Sequence, residues 1–135
     1  MKFKEYIIFS NIREELVLSI TQLSNYCHGI AKETGWWNDV NTGEPIERNK
    51  GELICLMHSE LSEAMEGVRM GTMDHHLPDR KAEEVELADA LIRILDYAGA
   101  YNLDIGGALV EKLVYNIHRA DHKPENRRKD DGKAF

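Results

Sequence analysis

The sequence predicts an all-α protein in which four long helices pack as a bundle. Apolar residues recur every three or four positions through most of the chain, which is the period of an α-helix. Glycine, proline and asparagine interrupt this period at a few places, and no stretch alternates apolar and polar residues as a half-buried strand does. A length of 135 residues suits one hydrophobic core, so we expect a single domain over residues 1–135.

The four helices are predicted in order along the chain. They cover about Asn11–Thr34, Glu52–Met70, Asp79–Tyr101 and Asp104–Asp121. Asn11 and Asp104 are residues that cap helix starts, and Gly35 is a residue that ends helices. The broad apolar face of the third helix is typical of a central position in a bundle.

The two ends of the chain are predicted to lie outside the bundle. Residues 1–10 carry an apolar patch that forms either an extra turn or an arm that packs on a partner subunit. Residues 123–135 are polar and mixed in charge, so we expect an extended tail. The apolar arm and the broad third helix together predict an interface with another copy of the chain.

Composition narrows the class of protein. The chain is 42% hydrophobic and 30% charged, which is ordinary for a globular protein, and no apolar run is long enough to span a membrane. A formal net charge of −7 argues against nucleic-acid binding. Cys27 and Cys55 lack metal-ligand spacing and read as buried free thiols of a reducing compartment. We therefore expect a cytoplasmic protein that binds neither nucleic acid nor membrane.

Two matched acidic pairs indicate a metal site. Glu60 and Glu63 stand three residues apart in the second helix, and Glu86 and Asp89 stand three apart in the third. Three residues are almost one turn, so each pair lies on one helix face, at the border of the apolar stripe. Four carboxylates at one helix–helix seam repel one another unless a cation lies between them. Oxygen ligands favour Mg²⁺, with Mn²⁺ as a substitute, and such an ion suggests a phosphate-bearing substrate.

The alternative is that these carboxylates form an ordinary solvated helix face. For one acidic pair alone that alternative is favoured, because short motifs are weak signals. Two pairs at the core borders of neighbouring helices favour the metal site instead.

The spacing of the two pairs also resembles a known family. Twenty-two residues separate Glu63 from Glu86, and the sequence continues to Lys112-x-x-x-Asn116-x-x-Arg119. This arrangement, in GELICLMHSELSEAMEGVR followed by ELADALIRILDYAGAYNLDIGGAL, is similar to the MazG-like proteins. They belong to the all-α nucleoside triphosphate pyrophosphohydrolases, together with dimeric dUTPases. The resemblance runs from about Trp36 to the C-terminus. Related proteins form dimers and tetramers, so the resemblance also implies a homodimer or a homotetramer.

This resemblance implies Mg²⁺-dependent cleavage of a nucleoside triphosphate between its α and β phosphates, in nucleotide-pool house-cleaning. The four carboxylates would be the metal ligands, and Glu63 is the first candidate for the base that accepts a proton from water. Basic residues on the fourth helix would face the phosphates, since Arg and Lys suit phosphate contacts. These residues are Lys112, Asn116 and Arg119. Their alternative role is that of a solvated basic helix end.

The adjacent tryptophans Trp36 and Trp37 are candidates for contact with the nucleobase. Neighbouring residues in a helix point in different directions, so we expect one ring to fill the bundle end and the other to stack on the base. Trp37 is the narrow choice for the base.

One residue departs from the family pattern. MazG-like proteins commonly carry a glutamate directly before the first acidic pair, and this chain has Ser59, whose hydroxyl cannot replace a carboxylate. This departure favours a rival function, that of a catalytically weak nucleotide-binding or regulatory helical protein. The other rivals are a dedicated dUTPase-like diphosphatase and a structural bundle with a solvated acidic face.

Overall fold

A computed structural model of the chain describes residues 2–9 and 11–133, and in this part of the chain the regular structure is helical. Its six α-helices and one short 3₁₀-helix are α1 (Phe3–Phe9), α2 (Ile12–Glu33), α3 (Lys50–Met70), α4 (Ala82–Ala100), α5 (Ile105–His118), the 3₁₀-helix Ala120–His122, and α6 (Pro124–Arg127). The described residues contain no β-strand, only isolated bridges between Asn38 and Pro45 and between Met73 and Lys81. The predicted all-α class is confirmed.

The caps of the helices explain where the observed bounds differ from the predicted ones. Helix α3 begins two residues earlier than expected, because the side chain of Asn49 accepts a hydrogen bond of 3.0 Å from the Glu52 amide. Asp104 caps α5 as predicted, accepting from the Gly107 amide at 2.8 Å. Helix α3 ends at Gly71, whose φ of 62° is the left-handed conformation that glycine adopts readily.

The described residues group into two compact units. One unit combines Met1–Gln22 with Asp104–Phe135, and the other is Leu23–Leu103. In the first unit α1 contacts α5, and α5 contacts the following 3₁₀-helix. A Cβ on Gly106 of α5 would lie 2.9 Å from the carbonyl oxygen of Val17, so glycine permits this close approach of α2 and α5.

Both predicted end segments contain helix. Residues 1–10 were expected to form an extra turn or an arm, and α1 supplies two turns there; residues 1 and 10 lie outside the described residues. The tail over 123–135 was expected to be extended, and it includes α6, which starts at Pro124 with the φ that proline fixes. Residues 134 and 135 also lie outside the described part.

The second unit consists mainly of the antiparallel pair α3 and α4, with the later part of α2 beside α4. Ser24 of α2 is buried and donates a 2.7 Å hydrogen bond to the carbonyl of Leu95. A Cβ on Gly99 would lie 2.6 Å from the Cβ of His28, so glycine also sets this helix approach.

The cores of both units are thin. The buried apolar residues are Ala64, Ala90, Leu95, Ala98 and Val110, and no large side chain is fully buried in the described chain. Many large apolar side chains are exposed instead, including Leu61, Val68, Leu87 and Leu91. Cys27 is half-buried and Cys55 is exposed, which corrects the prediction of two buried thiols. Among the described residues no helix has the length and apolar character needed to cross a bilayer.

Candidate metal centre

The register of α3 against α4 brings the two acidic pairs to matching levels. A Cβ on Gly67 would lie 2.9 Å from the Cβ of Ala82, so the end of α3 meets the start of α4 at this point. Glu63 precedes Gly67 by four residues, and Glu86 follows Ala82 by four. Both helices rise by the same amount per residue, so antiparallel packing sets these two side chains at one height. Glu60 precedes Gly67 by seven residues and Asp89 follows Ala82 by seven, so these two side chains are also level, one turn further along.

The connection between the helices is itself tightly ordered. The Asp74 amide donates to the carbonyl of Arg80 at 2.9 Å, and the Ala82 amide donates to the carbonyl of Thr72 at 3.0 Å. The Asp74 side chain accepts from the amides of His76 and Leu77, at 2.9 and 2.6 Å. These bonds lower the pKa of Asp74, the Leu77 amide contributing most. They also move the start of α4 three residues beyond the predicted Asp79.

Three of the four predicted metal ligands come together. Glu60, Glu63 and Glu86 each offer a carboxylate oxygen, and these atoms lie within 4.8 Å of one another. Glu60 is buried, Glu86 is partly buried and Glu63 is exposed. Three oxygens from two helices, at this separation, fit a hard divalent cation held with additional water.

Asp89 lies outside this group of three but is electrostatically linked to it. Partial removal from water raises the pKa of Asp89, and the negative charge of Glu60 raises it further, against the opposing effect of Arg93. Burial likewise raises the pKa of Glu86, followed by the charges of Glu63 and Glu60. The carboxylates therefore repel one another as the sequence predicted.

One cation of the chain already lies at this seam. Arg93 of α4 donates from Nε to Oε1 of Glu60 at 2.6 Å, across the two helices. Arg93 also follows Asp89 by four residues within α4, but its hydrogen bond is to Glu60 on α3. The observed partner on α3 means that part of the acidic charge is balanced by the protein itself.

Two cavities open beside the carboxylates, both within the second unit. One has a volume of about 500 Å³, and Glu60, Asp89 and Arg93 lie in its wall together with Trp36 and Arg48. The other has a volume of about 430 Å³ and includes Glu63 and Glu86. The larger one is the size of a small-molecule site and combines apolar, aromatic, cationic and acidic groups.

One tryptophan ring is packed and the other is exposed, as predicted, but the packed ring is that of Trp37, the residue predicted to contact the base. Trp37 is packed: its Nε1 donates to both carboxylate oxygens of Asp96, at 2.9 and 3.1 Å, and its ring meets those of His28 and Tyr101 edge-on. Trp36 is 64% exposed and lines the larger cavity. The geometry therefore favours Trp36 over the predicted Trp37 for contact with a ligand.

The three residues predicted to face phosphates belong to the other unit, where Arg119 and Lys112 have local contacts. Arg119 forms two hydrogen bonds with Asp121, from Nε at 3.0 Å and from Nη2 at 2.6 Å. The Nζ atom of Lys112 lies 4.6 Å from the ring centre of Tyr115. The side-chain oxygen of Asn116 is buried without a hydrogen-bond partner. The predicted phosphate role of this group stays a prediction.

Sequence reasoning missed a second polar cluster in the second unit. The Nδ1 atom of His28 lies 2.8 Å from Oδ1 of Asp96, so this aspartate has both His28 and Trp37 as partners. Asp96 follows Asp89 by seven residues, two turns further along the same face of α4. The available signal was the apolar surrounding of His28 in α2, which indicates a partly buried histidine that needs a polar partner.

Comparisons with protein-family models, with curated proteins and with solved structures give no match to this chain. The resemblance to MazG-like proteins thus rests on the motifs quoted above.

Proposed function

We propose that the protein is a Mg²⁺-dependent nucleoside triphosphate pyrophosphohydrolase of the MazG-like kind, which releases a nucleoside monophosphate and pyrophosphate. The observation that supports this most is the meeting of Glu60, Glu63 and Glu86 beside a cavity of about 500 Å³. The carboxylates alone would not support this function, since acidic helix surfaces are common, and the cavity alone would not either, since clefts are also common. Together they offer a cation site next to room for a nucleotide.

The donor set fits a divalent cation. Three carboxylate oxygens within 4.8 Å suit Mg²⁺ or Mn²⁺. Burial and, after it, neighbouring negative charges raise the pKa values of Glu86 and Asp89, and a cation would offset that repulsion. Glu60, Glu63 and Glu86 would hold the ion, with Asp89 as an outer ligand. When bound, the ion would supply charge neutralisation at the phosphate oxygens.

The larger cavity would receive the nucleoside. Trp36 offers an exposed aromatic face for stacking on a base, a contact that is worth roughly 1–3 kcal/mol. Arg48 lies beside it, donating from Nη1 to the Trp36 carbonyl at 2.9 Å, and leaves other guanidinium hydrogens for an anionic ligand. Lys112, Asn116 and Arg119 remain candidates for further phosphate contacts.

In the proposed reaction a water molecule attacks the α phosphorus. A bond forms between the water oxygen and phosphorus, the bond from phosphorus to the bridging oxygen breaks, and its electron pair leaves with pyrophosphate. Glu63 accepts the proton of the attacking water. Its exposure suits this role, because an exposed carboxylate can release the proton to solvent afterwards.

A catalytically weak nucleotide-binding protein is the second candidate. Ser59 supports it, because its hydroxyl donates to the Leu56 carbonyl at 2.7 Å within α3 and so supplies no additional ligand. A dedicated dUTPase-like diphosphatase differs from the main proposal in substrate range alone.

The proposed fold type is a four-helix bundle that assembles as a homodimer or homotetramer in the cytoplasm, and the exposed apolar side chains of α3 and α4 support the assembly.

The test is a panel of ribo- and deoxynucleoside triphosphates with Mg²⁺, in which monophosphate and pyrophosphate are measured. We expect both products in equal amounts, and no turnover when a chelator removes the metal. Glu63→Gln should lower kcat by at least about 100-fold, as loss of a base does. Glu84→Gln is the matched control, since Glu84 is an exposed residue of α4 that pairs with Arg80 at 3.8 Å.

The outcomes separate the candidates. Orthophosphate and diphosphate as products would overturn cleavage between the α and β phosphates. Thermal stabilisation by nucleotides without turnover would favour the binding protein. Turnover of dUTP alone would favour the dedicated diphosphatase.

A further inference from the structure

We propose that Arg93 is an internal counter-ion of Glu60 that a divalent cation displaces, and that the released guanidinium then contacts the anionic ligand in the adjacent cavity. This inference rests on the proposed function and adds a regulatory residue to it. Arg93 would thus couple occupation of the carboxylates to affinity for the nucleotide.

The first step is the competition for one carboxylate. Glu60 is both the hydrogen-bond partner of Arg93, at 2.6 Å, and a member of the group of three carboxylates. A guanidinium keeps its charge at every physiological pH, so deprotonation cannot end the contact. A second cation on Glu60 must therefore weaken or break the ion pair.

The second step concerns which partner can move. The side chain of Glu60 is 10% exposed, whereas that of Arg93 is 42% exposed. The carboxylate is therefore held by its surroundings, while the long arginine side chain has solvent beside it. Displacement would leave Glu60 in place and move the guanidinium.

The third step is where the guanidinium would go. Arg93 and Glu60 both line the cavity of about 500 Å³, which also contains Trp36 and Arg48. Two other acidic groups line this cavity: Asp89 is itself a candidate outer ligand, and the Asp96 carboxylate already accepts hydrogen bonds from the Trp37 indole. Once the carboxylates are occupied by a cation, the remaining partner for Arg93 in this cavity is a bound anion, and a guanidinium binds phosphate oxygens with two parallel hydrogen bonds.

The first test uses the metal alone and does not depend on turnover. Mn²⁺ binding to the folded protein is measured from the electron paramagnetic resonance signal of the free ion. Arg93→Gln should tighten Mn²⁺ binding by about three- to tenfold, because the ion no longer displaces a charge-assisted hydrogen bond. The Mn²⁺ affinity of Arg93→Lys should lie between those of the wild type and Arg93→Gln. Arg80→Gln removes the same charge from an exposed position of the same unit and should change the affinity by less than about twofold.

The second test measures a nonhydrolysable α,β-imido nucleoside triphosphate by calorimetry, with and without Mn²⁺. In the wild type, Mn²⁺ should strengthen analogue binding, and Arg93→Gln should remove about tenfold of that coupling. Glu60→Gln should strengthen binding of the analogue without metal, because Arg93 is then free. A purely structural salt bridge would produce neither change.

Several results would overturn the inference. The first is that Arg93→Gln binds Mn²⁺ no more tightly than the wild type. The second is that Arg80→Gln tightens Mn²⁺ binding as much as Arg93→Gln does. The third is that the wild type does not bind Mn²⁺. Failure of the proposed function looks different: Mn²⁺ affinity responds to Arg93→Gln as expected, yet no nucleoside triphosphate is hydrolysed. Circular dichroism of each variant checks that the helices are retained.

Discussion

At the scale of single residues, the adjacent side chains of Trp36 and Trp37 have different surroundings, although they are chemically identical. Trp37 directs its indole N–H to Asp96 and its ring to His28, whereas Trp36 faces the cavity. Stability should therefore depend on Trp37, and ligand affinity on Trp36.

Substitution of each ring tests this division. Trp37→Phe removes the donor to a carboxylate and should lower the free energy of unfolding by about 1–2 kcal/mol. Trp36→Ala should leave that quantity within about 0.5 kcal/mol and weaken nucleotide binding about tenfold, from the lost stacking. Chemical denaturation and calorimetric titration measure the two effects. Equal destabilisation by both variants would contradict the assignment.

Glu86 is the residue where repulsion should be easiest to measure. Its pKa is raised by burial and by the charges of Glu63 and Glu60, so Glu86→Gln relieves the metal-free protein of one unfavourable charge. We expect the metal-free variant to be more stable by about 0.5–1 kcal/mol. The stabilisation that Mg²⁺ gives the wild type should be lost.

Thermal unfolding with and without Mg²⁺ measures both effects, and Glu84→Gln is again the control. If Glu86→Gln lowers metal-free stability and keeps the Mg²⁺ response, the carboxylates do not act as one group.

The candidate site was predictable from the sequence in part. Glu60, Glu63 and Glu86 follow from spacing on two helices, because the helical period fixes which side chains share a face. The ion pair of Arg93 with Glu60 was not predictable, since it depends on the rotation of α4 about its axis. The choice between Trp36 and Trp37 depends on the direction in which the chain leaves α2, which no local pattern specifies.

At the scale of elements, the pairing of α3 with α4 depends on a small residue where the helices meet. Gly67→Ala would place a methyl group 2.9 Å from the Cβ of Ala82 and 3.1 Å from the backbone nitrogen of Glu83. Backbone cannot move aside as a flexible side chain can, so the helices must separate. We expect a loss of about 1–3 kcal/mol of stability, together with weaker Mn²⁺ binding.

Gly29→Ala is the control for this substitution. Gly29 lies inside α2, and apart from its chain neighbours and the nearby backbone of its own helix no atom lies within 4 Å of an added Cβ, so alanine should stabilise the protein by about 0.5–1 kcal/mol. Denaturation curves of the two variants should therefore move in opposite directions. If Gly67→Ala is as stable as the wild type, the close contact does not set the register.

The existence of the long helices was predictable, and their starts depended on details that the pattern does not contain. Asp104 was recognisable as a cap because aspartate directly precedes the apolar run of α5. The start of α4 was placed three residues early, because the hydrogen bonds that Asp74 forms with His76 and Leu77 hold that segment in a turn. Such bonds compete with helix formation and are invisible to periodicity.

At the scale of the whole molecule, the acidic seam should make stability depend on pH. The folded-state pKa values of Glu86 and Asp89 lie above their ordinary values, so the folded protein binds more protons than the unfolded chain in this range. The free energy of unfolding should therefore fall as pH rises from about 4 through the raised values.

Denaturation of the wild type and of Glu86→Gln across this range isolates the effect from that of other groups. The difference between the two curves should grow as pH rises. Saturating Mg²⁺ should reverse the slope of the wild type, because the cation binds the ionised carboxylates. A difference that is constant with pH would show that Glu86 titrates alike in both states.

The thin core leaves large apolar side chains exposed, and another copy of the chain should cover them. The buried apolar residues are mostly alanines, whereas Leu61, Leu87 and Leu91 are each about half exposed. Chains that expose this much apolar surface commonly bury it against another copy. Sedimentation equilibrium should give two or four times the chain mass of 15.5 kDa, and a monomer at micromolar concentration would contradict it.

The contact of Gly67 with Ala82 has a consequence for how this sequence can vary. The acidic residues of α4 are positioned by counting from that contact, so one residue inserted between Ala82 and Glu86 would turn the rest of the helix by about 100° and point its carboxylates elsewhere. Extra residues in the connection after Gly71 would leave that angular phase untouched. A change in the length of that connection would cost its internal hydrogen bonds but keep the orientation of the carboxylates, whereas the four-residue interval before Glu86 tolerates substitution far better than insertion.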